Sequence, residues 1–118
     1  MPEPGAGQVP LTIEPEELAA RLAGPGAPLL LDVRQAEEHA FVRLAASRLV
    51  PLPELAARTE ELLAALEPGA PLVAYCHHGV RSLQAALYLR AHGFPQAQSL
   101  AGGIDAWTRR VDPALPRY

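Results

Sequence analysis

Short strand-like runs alternate with helical patterns along this chain, and that alternation limits the folds open to it. Leu29 to Val33 and Leu72 to Tyr75 have strand length and apolar character, and Ala97 to Leu100 reads as a last strand. Runs without period-2 polarity suit parallel strands covered on both faces. Val9 to Ile13 and Arg48 to Pro51 read as two further short strands. Pro15 to Leu22, Glu37 to Phe41, Pro53 to Leu66, Ser82 to His92 and Ile104 to Arg110 read as helices. Pro15 suits the first position of its helix, and Gly24-Pro25-Gly26 ends it. A turn over Glu67-Pro68-Gly69-Ala70-Pro71 precedes the Leu72 run. In the Ser82 helix, Leu83, Ala86, Leu87 and Ala91 share one face. Gly93 fits the position after it, and Phe94 the hydrophobic contact beyond. The implied fold class is α/β: an open, mostly parallel sheet with helices on both faces. At 118 residues the chain is expected to form one domain over 1–118.

In such sheets ligands bind beyond the carboxyl ends of strands. Cys76, the only cysteine, stands at that place after Leu72–Tyr75, followed by His77-His78-Gly79-Val80-Arg81-Ser82. A strand that delivers a sulfur into a loop opening a helix puts it where backbone N–H groups converge. There the helix dipole favours an anion. The thiolate is the nucleophilic form of cysteine, and Arg81 adds a permanent cation. A lone cysteine after an apolar strand is ordinarily a small buried hydrophobe. Two histidines, a glycine and an arginine in the next five positions are poor core fillers and good lining for an anion site.

Composition removes several functions. The net charge is −3 and no basic stripe appears, so nucleic acid is not an expected partner. No apolar run is long enough to span a membrane and no signal peptide is apparent, so the expected location is the cytoplasm. A single cysteine excludes an internal disulfide, and a reducing compartment keeps it available. All ten basic residues are arginine, and the absence of lysine excludes Schiff-base chemistry.

The segment Cys76-His77-His78-Gly79-Val80-Arg81-Ser82 resembles the active-site loop of rhodanese-like sulfurtransferases. Leu29-Leu30-Leu31-Asp32-Val33-Arg34 with Glu37-Glu38 resembles that family's early strand and Asp-Val-Arg signature. Leu100-Ala101-Gly102-Gly103-Ile104-Asp105-Ala106-Trp107 is similar to its late Gly-Gly…Trp segment, and Ile13-Glu14-Pro15-Glu16-Glu17-Leu18 to its opening helix. The likeness covers nearly the whole chain. It departs at Val42-Arg43-Leu44-Ala45-Ala46-Ser47, where the family carries Gly-His-Ile-Pro-Gly-Ala. Glu14 also stands where the family often has a Ser or Thr cap, which should weaken the start of the first helix.

The resemblance implies a persulfide mechanism. Cys76 attacks the outer sulfur of a small anionic donor such as thiosulfate, releasing sulfite. A thiol, cyanide or a protein acceptor then takes the sulfur from Cys76. The amides of His77, His78, Gly79, Val80, Arg81 and Ser82 form a nest for the persulfide, and Arg81 binds the donor. No metal or organic cofactor is implied. A second reading is a persulfide carrier that delivers sulfur to a partner protein in cofactor or tRNA thiolation. The tail from Val111 to Tyr118 resembles the end of rhodanese domains fused to sulfur-carrier-activating enzymes. Cysteine phosphatases and arsenate reductases use a Cys-x5-Arg loop, whereas the spacing here is Cys-x4-Arg. A non-catalytic interaction module is the remaining alternative.

Other features carry weaker expectations. Cys76-His77-His78 lacks the spacing of a zinc site. His39 and His92 read as surface groups, Trp107 as core, and Gly102-Gly103 as a tight turn rather than a phosphate cradle. The pairs Glu16-Glu17, Glu37-Glu38 and Glu60-Glu61 read as solvated helix faces. Asp32 either supports the loop or pairs with Arg34.

Overall fold

The computed structural model describes residues 9–67 and 69–118. The first eight residues of the expected 1–118 domain, and Pro68 of the expected turn, lie outside the described residues. The strands are β1 (Thr12–Ile13), β2 (Leu29–Asp32), β3 (Arg48–Leu49), β4 (Leu72–Tyr75) and β5 (Ala97–Leu100). They join one sheet in the order β1-β5-β4-β2-β3, with every pairing parallel. The helices are α1 (Pro15–Leu22), α2 (Ala36–Phe41), α3 (Leu55–Ala65), α4 (Val80–Ala91) and α5 (Gly103–Arg110). The α/β class expected from the alternation is the class observed, and element ends shift only by a few residues. The largest shift is at β1, which begins at Thr12 rather than Val9, and Leu52–Glu54 forms a 3-10 turn ahead of α3.

β4 shows how the sheet divides its core. Leu72, Ala74 and Cys76 belong to one buried cluster with Leu55, Leu62, Ala85 and Leu89. Val73 and Tyr75 belong to the other, with Ile13, Leu18, Ile104 and Trp107. Successive side chains of a strand point to opposite faces, so α3 and α4 cover one face while α1 and α5 cover the other. Cys76 continues the inward alternation one step past the end of the strand.

The buried face of α4 differs from the expected one. Ser82, Ala85, Ala86 and Leu89 face the sheet. Ala91 is exposed, Leu83 is half-buried, and Leu87 is 54% exposed. Both sets have helical spacing, and they differ by about one residue of rotation. The small residues win because they let α4 approach β4 and β5 closely. Ser82, a polar residue, is the member that a purely hydrophobic pattern passes over.

Two edges behave in their own way. Glu14 caps α1 with no side-chain hydrogen bond, and Pro15 occupies the first turn. The segment lacking its glycines still turns, with Ala46 at φ 62°. The left-handed region costs a residue with a Cβ roughly 1–2 kcal/mol. Tyr75 holds this turn from beneath. Its hydroxyl accepts from the Leu44 N–H at 3.1 Å and lies 2.8 Å from Ser47 Oγ.

Candidate functional site

Cys76 Sγ sits at the start of α4, in the crook of the loop. It accepts from the N–H of Gly79 at 3.0 Å and of Ser82 at 3.4 Å. Ser82 Oγ lies 3.5 Å from the sulfur and 2.7 Å from Ser99 Oγ. The sulfur therefore meets two amides, one hydroxyl and the positive end of a helix. Gly79 reaches this shape at φ 104°, a conformation glycine tolerates.

The loop is fixed from behind by α5. Ile104 N–H donates to the Cys76 carbonyl at 2.8 Å, and Asp105 N–H to the His77 carbonyl at 3.1 Å. A Cβ on Gly103 would run into both carbonyl oxygens. The Gly102-Gly103 turn thus permits a close backbone approach. Two of the first amides of α5 are taken up by the loop, which leaves them unavailable to a phosphate.

Arg81 lies beside the sulfur, but its guanidinium is engaged. Nη1 and Nη2 donate to the two oxygens of Glu38, at 2.7 and 3.1 Å. Glu38 also accepts from the Gln35 N–H at 3.0 Å and the Tyr118 hydroxyl at 2.7 Å. Its carboxyl pKa is lowered to about 2, first by the Arg81 hydrogen bond. Glu38 is therefore not the solvated helix-face residue expected from its sequence. Its partner lies across the fold on α4, and no local pattern announces that.

His77 is sandwiched between two rings. Tyr118 stacks on it at 4.0 Å and 10°, and His78 at 4.0 Å and 26°. Burial and the neighbouring His78 lower its pKa, so the ring is neutral at neutral pH. His78 is exposed and lies 3.9 Å from Asp105. Asp105 is already paired with Arg109 at 2.8 Å and Arg117 at 3.3 Å. Ligand atoms of His77, His78 and Asp105 come within 4.8 Å of one another. The planes of stacked rings do not meet within a zinc–nitrogen bond of about 2.1 Å, so this arrangement does not suit a tetrahedral ion. Val80 is 69% exposed, so its side chain faces solvent beyond the loop.

Asp32 makes the structural pair with Arg34. Both are buried, and Arg34 Nε and Nη2 donate to its two oxygens at 2.8 and 2.7 Å. Arg34 also reaches the Val42 carbonyl and the Tyr118 hydroxyl. His39 Nδ1 lies 2.8 Å from Asp32, and its side chain is only 17% exposed. It is thus part of this network rather than the surface group expected. Tyr75, whose hydroxyl donates to Asp32 at 3.2 Å, has its pKa raised to about 12 by burial and the Asp32 charge.

A hollow of about 480 Å³ opens beside the loop, between His78, Gly79 and Val80 on one side and Ala101 and Gly102 on the other. A larger one of about 640 Å³ lies against the starts of β2 and β4. It includes no loop residue and sits at the wrong end of the sheet for this chemistry.

A match to the family described as "Rhodanese-like domain" covers residues 14–110. The chain belongs to the rhodanese-like family. Among named relatives of this rhodanese-like chain, the "Sulfurtransferase" of Allochromatium vinosum is 34% identical over 103 residues, covering 87% of this chain and 92% of that protein. The "Adenylyltransferase and sulfurtransferase MOCS3-1" of Zea mays is 39% identical over 102 residues, covering 83% of this chain. The chain spans only 22% of the length of that maize protein. The structure of the human single domain sulfurtransferase TSTD1 superposes with a TM-score of 0.75 at 28% identity, covering 86% of this chain and 98% of that one. No helix among the described residues is long and apolar enough to cross a membrane.

Proposed function

We propose that this rhodanese-like chain is a sulfurtransferase that moves sulfane sulfur through a persulfide on Cys76. The observation that carries this reading is the pair of amides, Gly79 and Ser82, directed at Sγ. In the first half-reaction the thiolate attacks the outer sulfur of a donor, thiosulfate being the simplest. The Sγ–S bond forms, the donor's S–S bond breaks, and its electron pair leaves with sulfite. In the second, a thiol, cyanide or protein acceptor attacks the outer sulfur and the Cys76 thiolate is the leaving group. Loop amides stabilise the anion at both stages. Arg81, whose charge interacts with Cys76, is the fixed cation that the loop supplies. Cytoplasm is the proposed compartment, since reducing conditions keep a lone thiol free.

A carrier role, with sulfur handed to a partner protein, is favoured by the likeness to the maize protein. Phosphoryl chemistry is disfavoured by the Cys-x4-Arg spacing and by the engagement of Arg81 with Glu38. Mass spectrometry after exposure to thiosulfate tests the proposal. A gain of one sulfur atom on Cys76, released by cyanide, supports it. A protein that gains none from thiosulfate or from a small persulfide is not a sulfurtransferase.

A further inference from the structure

A dianionic donor needs a cation that is free to meet it, and the loop supplies Arg81 alone. That guanidinium makes a two-point ion pair with Glu38, and the pair is largely shielded, with side-chain exposures of 33% and 19%. Screening by water and salt is weaker for such a pair than for one on the open surface. Tyr118 fixes the carboxylate further, donating to Glu38 while accepting from buried Arg34 at 2.7 Å. The other charges nearby are also matched. Asp32 is paired with Arg34 inside the protein. Arg109 and Arg117 are more than half exposed and turn to Asp105. The helix terminus favours one negative charge, and the Cys76 thiolate already supplies it. A thiosulfate ion entering this cup meets a thiolate and a carboxylate against one cation.

We propose that Glu38, pinned by Tyr118, is a specificity-determining positioning residue that turns the site toward sulfane donors without charge at the reacting sulfur, namely alkyl persulfides in their R–S–SH form, and against dianionic thiosulfate. This rests on the sulfurtransferase reading and ranks its donors. The step balances without a further reactant. The Cys76 thiolate attacks the outer sulfur of R–S–SH, and a bond forms between Sγ and that sulfur. The donor's S–S bond breaks, its electron pair leaves as R–S⁻, and the proton stays on the transferred sulfur. No charge is added next to Glu38 until the product departs. With thiosulfate the approach itself brings two negative charges to the same place.

The test compares two donors, dianionic thiosulfate and the persulfide of 2-mercaptoethanol, whose carbon end is uncharged and whose sulfur end carries at most one negative charge. The second-order rate of sulfur loading on Cys76 is followed by mass spectrometry, and the readout is the thiosulfate-to-persulfide rate ratio. Glu38→Gln keeps the shape of the side chain, removes the charge and leaves one accepting oxygen where Arg81 now meets two, and it should raise the ratio on the order of tenfold. Glu38→Asp should restore a value nearer that of the unmodified protein. Tyr118→Phe, which removes one of the donors that hold Glu38, should raise the ratio by a smaller factor. A change confined to folding would alter both rates together and leave the ratio in place. An unchanged or lowered ratio in a folded Glu38→Gln protein overturns the proposal. If that variant does not fold, an unchanged ratio in Tyr118→Phe overturns it instead. Loading of the unmodified protein by either donor keeps the sulfurtransferase reading intact whatever the ratio does. Loading by neither removes that reading and this proposal together.

Discussion

Tyr118 lies face to face with His77, with ring centroids 4.0 Å apart and planes 10° from parallel. The contact joins the tail to the loop that carries the sulfur. It also fixes the orientation of the His77 ring, next to Cys76 in the chain. The tail is therefore part of the site's electrostatics, through its stack on His77 and its hydrogen bond to Glu38.

Replacing the sulfur should remove the chemistry and keep the fold. Cys76→Ser places a smaller, similar group among the Gly79 and Ser82 amides. Sulfur loading should fall to background while the melting temperature moves by only a few degrees, because small core changes that keep the packing cost about 1 kcal/mol. Loading that persists in this variant would place the nucleophile elsewhere.

Removing the cation should do the opposite of removing Glu38. Arg81→Ala leaves a carboxylate beside the sulfur without its partner. The KM for thiosulfate should rise roughly tenfold or more, as expected for loss of a charge-assisted contact. Loading from the 2-mercaptoethanol persulfide, which carries at most one negative charge, should suffer less. Steady-state kinetics with both donors would expose an equal effect on each, which would make Arg81 a purely structural residue.

Acid should weaken the fold through Glu38. Its pKa is lowered from the usual 4.5 to about 2, chiefly by the Arg81 hydrogen bond. A depressed carboxylate contributes stability that is fully present above pH 4.5 and is lost as the pH falls toward 2. Urea titrations at pH 5 and pH 2.5 should therefore show a larger loss in the unmodified protein than in Glu38→Gln. Equal losses in the two would mean the pair adds nothing to folding.

Gly103→Ala should damage the site from behind. The new Cβ meets the carbonyls of Cys76 and His77, at a position with φ 63°. Left-handed strain of roughly 1–2 kcal/mol joins the loss of two backbone hydrogen bonds at about 1 kcal/mol each. A destabilisation of about 3 kcal/mol, with slower sulfur loading, is the expected outcome of thermal unfolding and kinetics. A variant as stable as the parent would show that the loop needs no such close approach.

The loop from Cys76 to Ser82 was legible in the sequence because its chemistry is packed into consecutive residues after an apolar strand. The parallel sheet was legible for the same reason, since each strand and helix has its own local pattern. Glu38 was not, because an acidic pair in a short helix reads as a solvated face, and among the described residues nothing local beyond the Gln35 N–H touches its carboxylate. Its bond to Arg81 joins residues 43 apart. Tyr118 reads as the end of a proline-rich tail, and only the fold brings it over His77. His39 resembles any polar helix residue until Asp32, buried at the end of β2, is seen to need another partner. Ala46 shows the converse. The segment that departs from the family's glycine-containing pattern still turns, with hydrogen bonds supplied by Tyr75.

The attachment of the loop to α5 has a further consequence. Ile104 and Trp107 of α5 pack with Ile13 and Leu18, on the face of the sheet opposite the one that holds Cys76. The same helix grips the Cys76 and His77 carbonyls through its first amides. The two cores are thus coupled mechanically at the reactive loop, like two wheels on one axle. A cavity opened under Trp107 would shift the sulfur's surroundings without touching any residue that lines them. Selection on packing at that distant face is, in this molecule, also selection on reactivity.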